Sequence, residues 1–258
     1  MNYWQERTLK AQQALTDKNQ KQIEKQMRKY YASTMKKILG SFEKTYNKLL
    51  LSMSEGREPT PADLYKLDTY WQMEGQLRQE LRRLGERQTS LLSKQFELQF
   101  FDIYFSIAIQ GEEAFSTIDT AIVQQMINQI WVADGKSWSQ RIWDNTELLQ
   151  EALNENLIAC VVAGKKTSDL LNLLQNDFGV SYNRADALVR TELSHIQNQA
   201  AQKRYEDYGV QEFEVWADED ERRCDVCGKL HEKRYPIGSV VPIPAHPRCR
   251  CSIIPVVD

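Results

Sequence analysis

Four of the five cysteines lie together near the C-terminal end of this 258-residue chain. Cys224 and Cys227 form a Cys-x-x-Cys pair, and a second group follows in the run His246-Pro-Arg-Cys249-Arg-Cys251. Two tight turns joined by one loop can bring four nitrogen or sulfur atoms to the distances of about 2.0–2.3 Å that a tetrahedral zinc ion requires. The spacing therefore predicts one structural zinc ion per chain.

The spacing leaves the fourth ligand open. Cys224, Cys227 and Cys249 belong to every plausible ligand set, and the fourth ligand is either His246 or Cys251. Two disulfides would also use four cysteines. The charged N-terminus, however, offers no segment for a signal peptidase, so we expect a reducing cytoplasm, where disulfides are rare. A redox role is disfavoured because the Cys-x-x-Cys pair follows a strand and has no βαβ context.

The remaining candidate residues favour structural interpretations, and we expect no enzyme. His231 is interpreted as an exposed loop histidine, His195 as a satisfied structural residue, and Cys160 as a buried thiol in an apolar run. The triplet Arg190-Thr191-Glu192 is interpreted as an ion pair, and the acidic turn over 218–221 as solvated. The sequence contains no His-Glu-x-x-His, deaminase, phosphate-loop or Gly-x-Ser-x-Gly motif.

Most of the chain has the apolar spacing of amphipathic helices. Apolar residues recur every three or four positions from Ile23 to Leu49, and Thr60-Pro61 has the pattern of a helix start. Further helices are predicted over the ranges 61–84, 88–109, 118–132, 137–163, 168–178 and 182–208, with several ends assigned to glycines.

The period changes only near the C-terminus. Residues 212–217 alternate between polar and apolar side chains, and residues 252–257 are a plausible final strand. The longest apolar runs are too short to cross a bilayer, which requires about 20 residues. The predicted fold is therefore mainly α, with a long helical N-terminal region and a helical body, followed by a small α+β module stapled by zinc.

Charge is distributed unevenly along the chain. Residues 1–50 carry eleven Lys and Arg against four Asp and Glu, whereas the whole chain has a net charge of −3. A basic segment points to nucleic acid or an acidic surface, although a solvated helix face has the same pattern. We predict a separable docking arm over residues 1–50, which binds a protein partner or packaged DNA through residues Lys25, Arg28, Lys29, Lys36, Lys37, Ile38 and Phe42.

Three runs resemble a known family. They are VRTELSHIQNQAAQKRYEDYGV, VWADEDERRCDVCGKLHEKRYP and PAHPRCRCSIIPV, with WVADGKSWSQRIWDN as a weaker upstream run. Together they resemble the C-terminal domain of phage minor head proteins, the Mu F-like head morphogenesis family. The resemblance covers residues 115–258, and His-Pro-x-Cys-x-Cys combined with the upstream Cys-x-x-Cys is its most specific part. We therefore predict a helical N-terminal region over 1–110 (the arm 1–50, then helices over 61–110), which the resemblance does not cover, and a Mu F-like domain over 111–258 with its zinc-binding segment at 211–258.

The resemblance also implies a function. It predicts a minor structural protein of the phage head that associates with the portal and procapsid and acts in head assembly, DNA packaging or ejection. Its partners would be the portal and other capsid or scaffold proteins, with no membrane and no small-molecule substrate. Its location would be the virion, and the host cytoplasm during assembly. The alternative is a zinc-containing nucleic-acid-binding protein of the host cytoplasm, but acidic residues outnumber basic ones over 211–235, which shows no basic stripe.

Overall fold

The computed structural model describes residues 1–52, 59–108, 117–217 and 223–257. Within these ranges the chain is mainly helical, as predicted. The long helices are α1 (Tyr3–Leu51), α3 (Asp68–Ser106), α5 (Trp138–Val162) and α6 (Thr167–Asp207). The shorter elements are α2 (Pro61–Tyr65), α4 (Thr120–Ile127), α7 (Asp225–Leu230), β1 (Glu212–Trp216), β2 (Arg234–Pro236) and β3 (Ser252–Pro255). No helix in the described ranges combines the length and apolar character needed to span a bilayer.

The chain divides into two compact units that are interleaved along the sequence. Unit 1 comprises Met1–Glu24, Leu91–Trp138 and Asp186–Asp258, and unit 2 comprises Lys25–Ser90 and Ser139–Ala185. Helices α1, α3 and α6 each contribute one part to each unit. The units therefore do not follow the predicted domain boundary between residues 110 and 111, which itself lies outside the described residues.

Unit 2 is built from helices around an apolar core. Its part of α1 contributes Ile38, Phe42 and Tyr46, all without solvent exposure. The Tyr46 hydroxyl lies 3.0 Å from the carbonyl oxygen of Cys160 on α5, so the largest buried side chain also finds a polar partner. Cys160 is buried, as predicted, and desolvation raises the pKa of its thiol.

Unit 1 contains the small sheet, in the strand order β2–β1–β3, with both pairs antiparallel. The central strand β1 alternates in burial, as the polar and apolar alternation predicts. Strand β3 is buried along its whole length. Its carbonyl groups accept hydrogen bonds from the N-terminal part of α1, at 2.8 Å from Gln5 Nε2 to Pro255 O, and from Tyr205 OH of α6 to Ile253 O at 3.0 Å.

These contacts correct the prediction of a separable arm over residues 1–50. The first part of α1 lies in the same unit as the cysteine-rich segment and contacts its last strand. The apolar docking residues Ile38 and Phe42 are also wrong as an interaction surface, because both are fully buried in the core of unit 2. The amphipathic stripe of α1 is covered by the protein itself, which is the ordinary reason for such a stripe.

Two predicted helix breaks are absent from the structure. Helix α3 continues through Gly85, and α6 continues from Gly179 through Ser181. Glycine weakens a helix by about 1 kcal/mol relative to alanine, and it ends a helix only where it adopts a left-handed conformation. The predicted ends at Gly164 and Gly209 are confirmed, and both residues have a positive φ, of 58° and 73°. The predicted end near Gly111 lies outside the described residues.

Gly85 occupies a position in unit 2 where a side chain does not fit. A β-carbon there would overlap the indole ring of Trp143 on α5, whereas Gly75, on the same helix, has no neighbour within 4 Å of that point. Glycine at residue 85 is therefore explained by packing against another helix, a cause that no local sequence pattern reveals.

We predict that Gly85→Ala lowers the free energy of unfolding by about 1–3 kcal/mol, because overpacking a tight core outweighs the gain in helix propensity. The matched control Gly75→Ala should raise it by roughly 0.5–1 kcal/mol, since only propensity changes there. Urea unfolding followed by circular dichroism measures both. Equal stabilisation by the two substitutions would contradict the close contact with Trp143.

Candidate metal centre

The first pair of cysteines lies on a single turn of helix. Cys224 is the N-cap of α7, and its Sγ accepts a hydrogen bond from the backbone N–H of Cys227 at 3.4 Å. This hydrogen bond is the main cause that lowers the pKa of the Cys224 thiol. Cys227 is buried. Helix α7 was not predicted, and it directs both sulfur atoms to one side of the segment.

The second group lies on the loop that precedes β3. The backbone N–H of Cys249 donates to the carbonyl oxygen of His246 at 3.2 Å, which closes a tight turn. Within this turn Arg248 has a φ of 61°. This left-handed conformation costs a non-glycine residue about 1–2 kcal/mol and therefore depends on its surroundings.

The structure brings all five predicted ligand residues together around Cys227. Its Sγ lies 3.1 Å from Nε2 of His246 and 3.8 Å from Sγ of Cys249. Two sets of potential ligands share this sulfur, one with Cys224 and His246 and one with Cys249 and Cys251, and the atoms of each set lie within 4.8 Å of one another. In tetrahedral zinc sites, ligand atoms lie about 3.6–3.8 Å apart. The sulfur–sulfur distance of 3.8 Å fits this range, whereas the sulfur–nitrogen distance of 3.1 Å is that of a hydrogen bond and would lengthen around an ion.

A small cavity of about 40 Å³ lies among these side chains. Its lining includes potential ligands from both parts of the cluster, namely Cys224, Cys227, His246 and Cys251. Three arginines, Arg223, Arg248 and Arg250, line it as well. Positive charge near a thiol favours the thiolate, which is the protonation state that binds metals.

The pKa values differ among the three buried thiols of the cluster, those of Cys227, Cys249 and Cys251. A hydrogen bond from Cys251 lowers the pKa of Cys249 to about 5, and the same contact raises the pKa of Cys251. Burial raises the pKa of Cys227 to about 12. The backbone carbonyl of Pro247 raises the pKa of His246. A protein without metal therefore keeps part of the cluster protonated, so metal binding displaces protons.

Other residues singled out in the sequence lie elsewhere. Arg190 forms ion pairs with Glu24 at 2.6 Å and with Asp186 at 3.0 Å, which confirms the ion-pair interpretation. Glu192 is buried and accepts a hydrogen bond from Trp131 Nε1 at 3.1 Å. The predicted acidic turn over 218–221 lies outside the described residues.

Both remaining histidines differ from their predictions. His231 is half-buried instead of exposed: its ring packs against Trp216, and its Nδ1 accepts a hydrogen bond from the N–H of Ala217 at 3.3 Å. His195 stacks on Trp131 at 4.2 Å, and its buried Nε2 has no hydrogen-bond partner among the described residues, whereas a satisfied side chain was expected. Desolvation lowers the pKa of His195 to about 4.

The five basic residues of the predicted docking surface all lie on the exposed side of α1 in unit 2. They are Lys25, Arg28, Lys29, Lys36 and Lys37. Two of them have partners within this unit: Lys37 pairs with Glu80 at 2.9 Å, and Arg28 lies over the ring of Tyr182. Part of this surface is thus a solvated helix face with internal contacts.

Sequence reasoning did not identify the residues that surround the metal-ligand cluster. Asn198 of α6 donates to Cys251 O at 3.1 Å and accepts from Ile253 N at 2.9 Å, which joins the end of the cluster to β3. The arginines could have been noticed, because Arg248 and Arg250 alternate with ligands in the final motif. Asn198 carried no comparable signal.

Comparison with known families gives one match. Residues 151–254 match the family described as Phage Mu protein F like protein. This part of the chain is similar to the Phage Mu F-like family. The matched segment includes all five candidate ligands, α6 and the sheet except for the last residue of β3, and the resemblance noted from the sequence is confirmed. The upstream run WVADGKSWSQRIWDN lies outside the match. Neither the curated proteins nor the solved structures provide a match to the chain.

The Mu F-like family suggests a phage head morphogenesis protein, with a structural role and a location in the virion. This agrees with the coarser part of the functional prediction. The Cys and His cluster could hold a metal ion, which agrees with the coarser part of the cofactor prediction.

The low pKa of His195 predicts a specific loss of stability in acid. The unfolded pKa is about 6.5, so stabilisation by the neutral ring is complete above pH 6.5 and is lost as the pH falls through about 4. We expect this loss to approach about 3 kcal/mol. His195→Phe keeps a flat ring against Trp131 but cannot be protonated. As the pH falls from 7 to 4, the unfolding free energy of this variant should therefore rise by that amount relative to the unfolding free energy of the parent. If the unfolding free energies of the parent and of His195→Phe, measured by denaturant unfolding, changed in parallel with pH, this prediction would be wrong.

Proposed function

We propose that this protein is a minor structural component of a tailed-phage or prophage head, which associates with the portal and procapsid and aids head assembly and DNA packaging or ejection. The observation that carries the proposal is the Mu F-like match over 151–254, which coincides with the part of the chain that contains the metal-ligand cluster. Its partners would be the portal protein and other capsid or scaffold proteins.

The proposed cofactor is one structural zinc ion per chain. Cys224, Cys227 and Cys249 would hold it, with either His246 or Cys251 as the fourth ligand. Sulfur and imidazole are the donors that zinc prefers in structural sites, and the 3.8 Å between the sulfur atoms of Cys227 and Cys249 suits a tetrahedral ion. Bound zinc would supply a cross-link between α7 and the loop before β3, and no chemical reaction.

The number of donors supports a structural and not a catalytic ion. A catalytic zinc keeps one position open for water, usually near a carboxylate that acts as a base. Five Cys and His side chains surround the proposed site, and the potential metal clusters in the described ranges contain no carboxylate. Four protein ligands would close the coordination sphere.

The basic side of α1 supports DNA more than a protein as its partner. The apolar residues once expected to bind a partner, Ile38 and Phe42, are buried, whereas the neighbouring cations are exposed. Exposed lysines and arginines bind phosphate without regard to sequence, and such binding weakens steeply with salt. We propose that this surface contacts packaged DNA inside the head.

Metal binding should depend strongly on Cys227, because this residue belongs to both sets of ligands. We predict one zinc per chain in elemental analysis of the protein and loss of that zinc in Cys227→Ser. Unfolding of unit 1 should then occur at a lower denaturant concentration, because binding free energy is largely folding free energy at such sites.

The matched control is Cys160→Ser, which changes a buried thiol in unit 2 and should leave the zinc content unchanged. Cobalt spectra of His246→Ala and Cys251→Ser then identify the fourth ligand. The metal site would be contradicted if the parent protein, purified without chelators, contained no zinc and had the same stability before and after zinc was added.

The head proposal is tested in particles of the phage that encodes the chain. We predict that mass spectrometry finds the protein in purified heads and that it co-purifies with the portal. Replacement of Lys25, Arg28, Lys29, Lys36 and Lys37 by Gln should leave incorporation intact but lower the yield of DNA-filled heads.

Absence of the protein from purified heads, together with retention on cellular nucleic acid, would favour the alternative of a zinc-containing nucleic-acid-binding protein of the host cytoplasm. The control for the charge change is Lys165→Gln with Lys166→Gln, two exposed lysines outside the α1 surface. Equal effects of the two charge variants would contradict a specific role for α1.

A further inference from the structure

Helix α6 contacts the ligand loop, defined here as residues 244–251, at two separate places. The backbone N–H of Arg248 donates to Thr191 Oγ1 at 3.0 Å, and the Arg248 guanidinium lies 3.1 Å from an oxygen of Asp186. Further along the helix, Asn198 donates to the carbonyl oxygen of Cys251 at 3.1 Å. The loop is thus held by α6 both inside its turn and at its end.

The contact with Thr191 is made by Arg248, the residue of the ligand loop that has a left-handed backbone. Arg248 lies between the candidate ligands His246 and Cys249 and has a left-handed backbone. Such a conformation persists in a non-glycine residue when the surrounding structure fixes it. The Thr191 hydroxyl accepts a hydrogen bond from the backbone N–H of Arg248. This contact fixes the peptide group between Pro247 and Arg248, in the segment that joins the two candidate ligands.

Asp186 fixes the side chain of the same residue. Its carboxylate oxygen is shared between Arg248 and Arg190, at 3.1 Å and 3.0 Å, and Arg190 pairs in turn with Glu24 of α1. Charges of alternating sign therefore run from α1 through α6 to the ligand loop, all within unit 1. Asp186 is mostly buried in this arrangement, which limits screening by water.

We infer that Thr191 and Asp186 are positioning residues of the metal centre, which hold Arg248 so that His246 and Cys249 face the metal before it binds. The inference rests on the zinc site proposed above. Two members of the Arg190-Thr191-Glu192 triplet therefore have different roles. Thr191 contacts the ligand loop, whereas Glu192 accepts a hydrogen bond from Trp131. Partners of this kind around metal ligands commonly change metal affinity by about 10- to 100-fold.

The test compares metal affinity between variants of the full chain. Thr191→Val removes the acceptor for Arg248 N–H, and it also removes a bond within the helix, from Thr191 Oγ1 to Ala187 O at 2.7 Å. Thr89→Val is the matched control, because Thr89 is half-buried and makes the same kind of bond, to Gly85 O at 3.0 Å, in unit 2. Thr191→Ser retains the hydroxyl and serves as the rescue.

Cobalt titration measures binding through the thiolate absorption bands, and competition with a chelator measures zinc affinity. We expect Thr191→Val to weaken binding about tenfold or more and to alter the cobalt spectrum, and Asp186→Asn to weaken it to a smaller degree. Thr191→Ser and Thr89→Val should bind as the parent does. Melting of the metal-free proteins shows whether either valine variant is simply unfolded, in which case Asp186→Asn decides.

The outcomes separate this inference from the metal site on which it rests. A parent protein that binds neither cobalt nor zinc would overturn both. Metal binding by the parent, with parental affinity and spectrum in Thr191→Val and Asp186→Asn, would overturn the positioning role alone. An equal loss of affinity in Thr191→Val and Thr89→Val would also overturn it, because the effect would then follow helix stability.

Discussion

The contacts made at the Cys227 sulfur determine how the end of this chain can be organised. The elements around it are short: α7 has six residues, β2 has three, and Cys227 is the only buried residue of α7. Elements of this length bury too little apolar surface to hold one another in place. The proposed metal cross-link at Cys227, together with the hydrogen bonds from α6 to the ligand loop, would supply the constraint that a larger core supplies elsewhere.

Helix α6 connects this segment to the rest of unit 1. It supplies Asn198, Tyr205 and Thr191, whose polar atoms reach β3 and the ligand loop. Buried polar groups are stabilising only when they find partners, and here their partners are the backbone groups of the loop and strand. The same helix therefore acts both as a core element and as the support of the candidate site.

Local patterns predicted the helices better than their ends. Apolar periodicity identified the long helices, and Gly164 and Gly209 end two of them because each adopts a positive φ. Gly85 was wrongly expected to end a helix, since the reason for it is the ring of Trp143, a contact between residues far apart in sequence. For the same reason the stripe containing Ile38 and Phe42 predicted burial of that face but not what covers it. The clustering of the candidate Cys and His ligands was predictable because their spacing is local, whereas Thr191 and Asn198 meet the cluster only through folding.

A metal-organised C-terminal segment joined to the Mu F-like family match is the central claim, and X-ray absorption at the zinc edge tests it most directly. The spectrum of the full chain, purified without chelators, should show zinc with three or four sulfur neighbours at about 2.3 Å, completed by nitrogen if His246 is a ligand. A zinc shell of oxygen and nitrogen atoms alone, or the absence of a zinc edge, would contradict the account.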